Sequence, residues 1–184
     1  MFDSIASANA PKAIGPYSQA IKLGDFVYLS GQLPVDPQTN ELVDGGIMEQ
    51  TYQVFQNIEA VLAEMDLELR HILKTTVFLT DLSDFEQMNH IYATIMSEPF
   101  PARSTVGVAA LPMGAKIEIE CVVIDTLAYE QAIKHQHHHG DGCACGHDHS
   151  HDHDHECCKD GDCDCNHDHQ HQTQDIECEG NCCG

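Results

Sequence analysis

Basic side chains are scarce in this chain: its 184 residues hold eight Lys and Arg against 30 Asp and Glu, a formal net charge of −22. No basic patch is visible, so a phosphate backbone would be repelled, and nucleic acid is not an expected partner. Long apolar runs are missing as well. None approaches the roughly 20 residues needed to cross a bilayer, so no membrane span is expected. The opening segment, Met-Phe-Asp-Ser-Ile-Ala-Ser, lacks the positive region and apolar core of a secretory signal, which points to a cytoplasmic protein. Finally, the first 134 residues are almost without His and Cys, holding only His71, His90 and Cys121.

What the first part lacks, the last part concentrates. Nine of the ten Cys and twelve of the fourteen His follow Lys134. That stretch has almost no apolar residue besides Ala144 and Ile176. It cannot bury enough surface to offset its chain entropy, so the expectation is a disordered tail over residues 133–184 behind a folded domain over residues 1–132. Both parts are acidic. Residues 1–134 carry 7 Lys and Arg against 18 Asp and Glu, and the remainder one Lys against 12 acids.

The folded part shows clear periodicities. Ala20–Gly24 and Phe26–Gln32 read as two strands joined at Gly24-Asp25. Pro34, Pro37, Asn40 and Gly45-Gly46 mark a loop. Val54, Phe55, Ile58, Val61, Leu62 and Met65 recur at helical spacing. Ile72–Thr80 is rich in β-branched residues and reads as a central strand. Asp84 is placed to cap a second helix carrying Phe85, Met88, Ile91, Tyr92 and Ile95, which Pro99 and Pro101 end. Arg103–Ala109 and Lys116–Thr126 are the last strands. The order predicts an α+β fold, a mixed β-sheet with two helices on one face. The other face would be bare, which for a domain of this size points to an oligomer.

Three features of this domain carry potential chemistry. In Phe100-Pro101-Ala102-Arg103-Ser104 an Arg opens a strand, and its planar fork suits a carboxylate; a surface ion pair would use the same residue. In Lys116-Ile117-Glu118-Ile119-Glu120, alternation puts Glu118 and Glu120 on one face, where a carboxylate could activate water; a solvated strand face has the same pattern. Ala13-Ile14-Gly15-Pro16-Tyr17 is a rigid turn that delivers a Tyr hydroxyl, although a structural Tyr would be placed no differently.

The motifs IGPYSQA, LSGQLPVDP, KTTVFLTDLSDF, FPARS and IEIE occur in this order and spacing. Through them the chain, from about Ile5 to Asp125, closely resembles the RidA/YjgF family of enamine/imine deaminases. The resemblance implies a chorismate mutase-like fold assembled as a homotrimeric barrel, with sites at the interfaces. It also implies hydrolysis of 2-aminoacrylate and related enamines or imines to 2-keto acids and ammonia, with no cofactor for catalysis and a small carboxylate-bearing substrate. By motif, Arg103 would clamp the substrate carboxylate and Glu118 would position the attacking water. Tyr17, Asn89 and Phe85 would line the pocket, and backbone groups of Gly31 and Thr105 would contact the substrate. Many relatives have Cys where this chain has Thr105. Cys121 reads as a small core residue.

The tail lies outside the resemblance. Its candidate ligands are His137, His138 and His139, then Cys143 and Cys145, then the alternating His147, His149, His151, His153 and His155. Cys157 and Cys158 follow, then Cys163 and Cys165, His167, His169 and His171, and finally Cys178, Cys182 and Cys183. Thiolate with imidazole favours Zn, Ni or Cu(I) over hard ions. In a reducing compartment such Cys read as ligands rather than disulfides. A purification tag fits poorly, because the His run is broken by Gln and mixed with Cys and acids. The leading expectation is thus a hydrolytic deaminase with a metal-binding tail. The alternative is a metal-buffering or metallochaperone protein on an inactive scaffold of the same fold.

Overall fold

The computed structural model describes residues 2–138. Six strands form one sheet in the order β1-β2-β3-β6-β4-β5: β1 Asp3–Ile5, β2 Ala20–Leu23, β3 Phe26–Gln32, β4 Ile72–Leu79, β5 Ala102–Gly107 and β6 Ile117–Ile124. Neighbours are antiparallel except β4 and β5, which run parallel across an intervening helix. The helices are α1 (Ile47–Ala63), α2 (Phe85–Ile95) and α3 (Leu127–His138). Among the described residues no helix is long and apolar enough to cross a membrane.

The expected β2–β3 hairpin is present, turning through Gly24 at a φ of 59°, a left-handed value that Gly adopts without cost. The period-2 pattern of the sheet and the 3.6 pattern of α1 then meet in one core. Val54, Phe55, Ile58, Val61 and Leu62 of α1 are buried against Val27, Leu29, Val77, Leu79, Ile117, Ile119 and Val123 of the sheet. A Leu or Ile buried in this way contributes about 1.5–3 kcal/mol. Cys121 belongs to the same core, and burial pushes its thiol up to about 12. The opposite sheet face carries Tyr28, Thr76, Phe78, Glu118, Glu120 and Val122, and among the described residues no helix covers it; Tyr28 is half exposed.

Three details differ from the sequence expectation. The short edge strand β1 was not anticipated; it pairs with β2 from Asp3↔Lys22 to Ile5↔Ala20. Asp84 stands at the N-cap position of α2 but makes no capping bond. Its Oδ2 instead accepts from Lys116 Nζ at 3.0 Å, while Asp81 Oδ1 accepts from the Ser83 N–H at 2.9 Å one turn earlier. Lys116 offers Asp84 a charged partner, which outcompetes a backbone amide for the same carboxylate.

The third difference is α3. The boundary expected at Ala132 falls inside this helix, because regular structure continues to His138. Arg70 donates to both oxygens of Glu130, at 2.8 and 3.1 Å, and Thr126 Oγ1 donates to it at 2.6 Å. These bonds, Arg70 first, hold the Glu130 carboxyl down to about 2. Tyr129 donates to Asp25 Oδ2 at 2.9 Å, and Lys22 binds Asp125 at 2.6 Å just before the helix. Polar contacts with the hairpin and the start of β4 therefore dock α3.

Candidate active site

Arg103 is the second residue of β5, the strand at the sheet edge, in register with Thr75 of β4. Thr75 is buried on the helix-covered face, and Arg103 shares that face. Above it lies a stripe of α2. Phe85, Asn89 and Tyr92 are spaced by four and three residues, so their side chains stack along one side of the helix. Arg103 Nη2 donates to Asn89 Oδ1 at 2.8 Å. The guanidinium carbon lies 4.6 Å from the Tyr92 ring centroid and 5.7 Å from that of Phe85. Arg103, Asn89 and Tyr92 line a cavity of about 240 Å³ whose other walls are Ala93, Phe100 and Pro101. A held guanidinium lining a largely apolar cavity is suited to a small carboxylate.

Glu118 stands elsewhere. Alternation along β6 buries Ile117 and Ile119 and turns Glu118 to the open face, in register with Phe78. Its side chain lies across the backbone of Gly31, so closely that a Cβ added there would meet Glu118 Oε1 at 1.8 Å. Gly31 is required by that approach, not by its φ, and it sits where β3 bulges between Leu29 and Gln32. Burial raises the Glu118 carboxyl above its ordinary value, and the charge of Glu120 raises it further. Tyr17, Gly31 and Glu118 line a second cavity of about 410 Å³ with Ile14, Pro112 and Met113. Tyr17 is half exposed there, on a tight turn closed by its N–H to the Gly15 carbonyl at 3.0 Å.

The residues singled out in the sequence thus fall into two groups on opposite faces of one sheet. Arg103, Asn89 and Phe85 form one group; Tyr17, Gly31 and Glu118 form the other. Thr105 follows Arg103 on the same face of β5, and its buried Oγ1 has no hydrogen-bond partner among the described residues. Tyr92 is the functional neighbour that sequence reasoning left in the apolar stripe of α2. Its offset of three residues from Asn89 was the available signal.

Of the candidate metal ligands, His137 and His138 lie at the end of α3, and His139 through Cys183 lie outside the described residues. Among the described residues no group of three or more His, Cys, Asp or Glu could hold a metal ion.

Residues 7–125 match the family model described as Endoribonuclease L-PSP. A RutC family protein of Pyrococcus horikoshii is 48% identical over 122 residues, covering 66% of this chain and 97% of its own. The 2-iminobutanoate/2-iminopropanoate deaminase of Homo sapiens is 44% identical over 120 residues, covering 65% of this chain and 88% of that protein. The crystal structure of RidA from the Antarctic bacterium Psychrobacter superposes with a TM-score of 0.65 at 47% identity, covering 66% of this chain and 98% of that one. The family model spans most of the chain and the Psychrobacter RidA shares its fold at 47% identity, so this chain belongs to the RidA/YjgF family.

Proposed function

We propose that the protein is a hydrolytic deaminase that converts reactive enamine and imine intermediates, such as 2-aminoacrylate, to 2-keto acids and ammonia. The observation that carries this reading is Glu118: a half-buried carboxylate of raised pKa, laid on the Gly31 backbone and facing an open cavity beside Tyr17. Such a group can hold a water and take its proton near neutral pH. Arg103 supplies the complementary grip on a carboxylate. The deaminase name of the human relative supports the same chemistry.

The reaction needs few groups. 2-Aminoacrylate tautomerises to 2-iminopropanoate, whose C2 is electrophilic. Water adds to C2 as Glu118 takes one of its protons. That proton passes to the imine nitrogen to complete a carbinolamine; the carbinolamine hydroxyl then gives up its proton, which Glu118 relays to the amino nitrogen, the C–N bond breaks, ammonia leaves and the keto group remains. Arg103 holds the carboxylate so that C2 meets the water, which converts a bimolecular encounter into a positioned one.

Arg103 and Glu118 lie on opposite faces of the sheet, so one chain alone does not place them around a common ligand. The reading therefore includes assembly: a homotrimer in which the open sheet face is covered and each site takes Arg103 from one chain and Glu118 from the next. In a coupled assay, 2-aminoacrylate generated in situ is expected to be consumed faster with the protein present, with keto acid and ammonia formed in equal amounts. No acceleration by a folded protein would remove the deaminase reading.

The tail adds a second, separable property. Its thiols and imidazoles support binding of several Zn, Ni or Cu(I) ions, independent of catalysis. Uptake requires deprotonated thiols and neutral imidazoles, so it should weaken as pH falls through the His range. Calorimetry with Zn on the reduced full chain and on a chain ending at His138 should show tight binding only in the former. Equal uptake by both would overturn this assignment.

A further inference from the structure

Arg103 has five N–H donors, and a carboxylate needs two of them presented side by side. Asn89 fixes one edge of the guanidinium through Nη2 at 2.8 Å. An edge contact alone leaves the fork free to roll about that bond. Two rings stand over the guanidinium, Phe85 with its centroid 5.7 Å from the guanidinium carbon and Tyr92, the nearer, at 4.6 Å. A ring this close attracts the cation through its quadrupole, and more strongly where water is excluded. Tyr92 is only 4% exposed.

Tyr92 is itself held. Its ring meets Phe55 edge-on, with centroids 5.3 Å apart and an interplanar angle of 78°. Its hydroxyl lies 3.0 Å from Thr75 Oγ1, a fully buried hydroxyl. Thr75 is the β4 residue in register with Arg103 on the neighbouring strand. A closed circuit results: from the backbone of Arg103 across the sheet to Thr75, up to the Tyr92 hydroxyl, and back through the ring to the Arg103 guanidinium. A Phe in place of Tyr92 would fill the same core without a buried hydroxyl to satisfy, so packing alone gives no reason for the phenol.

We infer that Tyr92, tethered by Thr75, is a positioning residue that fixes the plane of the Arg103 fork for a ligand carboxylate. This rests on the reading of Arg103 as the carboxylate grip. Asn89 and Tyr92 together occupy one edge and one face of the guanidinium, and the remaining edge is left to the ligand.

The test measures carboxylate binding separately from turnover, using 2-oxobutanoate as the probe in titration calorimetry on the full chain. Turnover of 2-aminoacrylate by the wild type reports on the deaminase reading alone. Tyr92→Leu is expected to weaken 2-oxobutanoate binding about tenfold, the size of a desolvated cation–π contact, and to raise KM more than it lowers kcat. The loss should shrink to under about twofold in an Arg103→Lys background, because a Lys ammonium has no plane to orient. Should Tyr92→Leu fail to fold, Thr75→Val serves: it keeps volume, removes the tether and should weaken binding about threefold, with Thr75→Ser restoring it. Unchanged 2-oxobutanoate affinity in folded Tyr92→Leu or Thr75→Val overturns the inference. So does an equal loss in the Arg103→Lys background, or a wild type that binds no 2-oxobutanoate.

Discussion

Arg103→Ala is expected to lower kcat/KM for 2-aminoacrylate by about three orders of magnitude while leaving the fold intact. Truncating one side of a desolvated, bidentate charge pair costs about 2–5 kcal/mol, and each 1.36 kcal/mol is a factor of ten in rate. The fold should survive because Arg103 lines a cavity at the sheet edge instead of filling the core, and its neighbours Asn89 and Phe85 are partly exposed. Circular dichroism and a melting curve check that point. A folded Arg103→Ala protein with turnover near wild type would eliminate the carboxylate grip. The same variant also tests the composite site. If Arg103 and Glu118 of one site come from different chains, co-refolding Arg103→Ala with Glu118→Gln should regenerate about one quarter of the sites, since each site draws its two groups independently. If both groups came from one chain, the mixture would stay inactive.

How much of this was legible before the structure depends on whether a signal was local. The β2–β3 hairpin and α1 were, because Gly24-Asp25 and the spacing of Phe55, Ile58 and Leu62 report on neighbours within a few residues. So was the outward turn of Glu118, since alternation against Ile117 and Ile119 needs no partner strand. The separation of Glu118 from Arg103 was not. It depends on β6 entering between β3 and β4 and on β5 running parallel at the edge, a sheet order that no periodicity encodes. The helix α3 was not legible for a similar reason. Residues from Leu127 onward show weak amphipathicity, and what docks α3 is Glu130 with Arg70, 60 residues away, and Tyr129 with Asp25, 104 residues away. β1 has three residues, too few for alternation to register. Asp84 has the position of a cap, and its bond to Lys116, 32 residues away, is a contact that no local pattern reports.

Glu118→Gln is expected to reduce kcat by about 10²–10⁴-fold, the usual contribution of a general base, with little change in the affinity for 2-oxobutanoate. The amide keeps the shape that packs on Gly31 and loses only the capacity to take a proton. A raised KM with unchanged kcat would make Glu118 a binding group instead. The pH profile gives an independent check. The working form is the carboxylate, so activity is present above the pKa of Glu118 and lost as pH falls through it. Burial, then the charge of Glu120, places that pKa above the ordinary 4.5. The acid limb of kcat/KM should therefore lie at higher pH than for a free glutamate. Glu120→Gln removes one of the two causes and should move the limb to lower pH. The displacement should be the smaller part of the elevation, because the charge of Glu120 is the lesser of the two causes. Burial, the larger cause, remains in that variant, so the limb should still stand above the free-glutamate position. A limb at or below that position in the wild type, or an upward displacement in Glu120→Gln, would mean that another group sets the protonation state on which turnover depends.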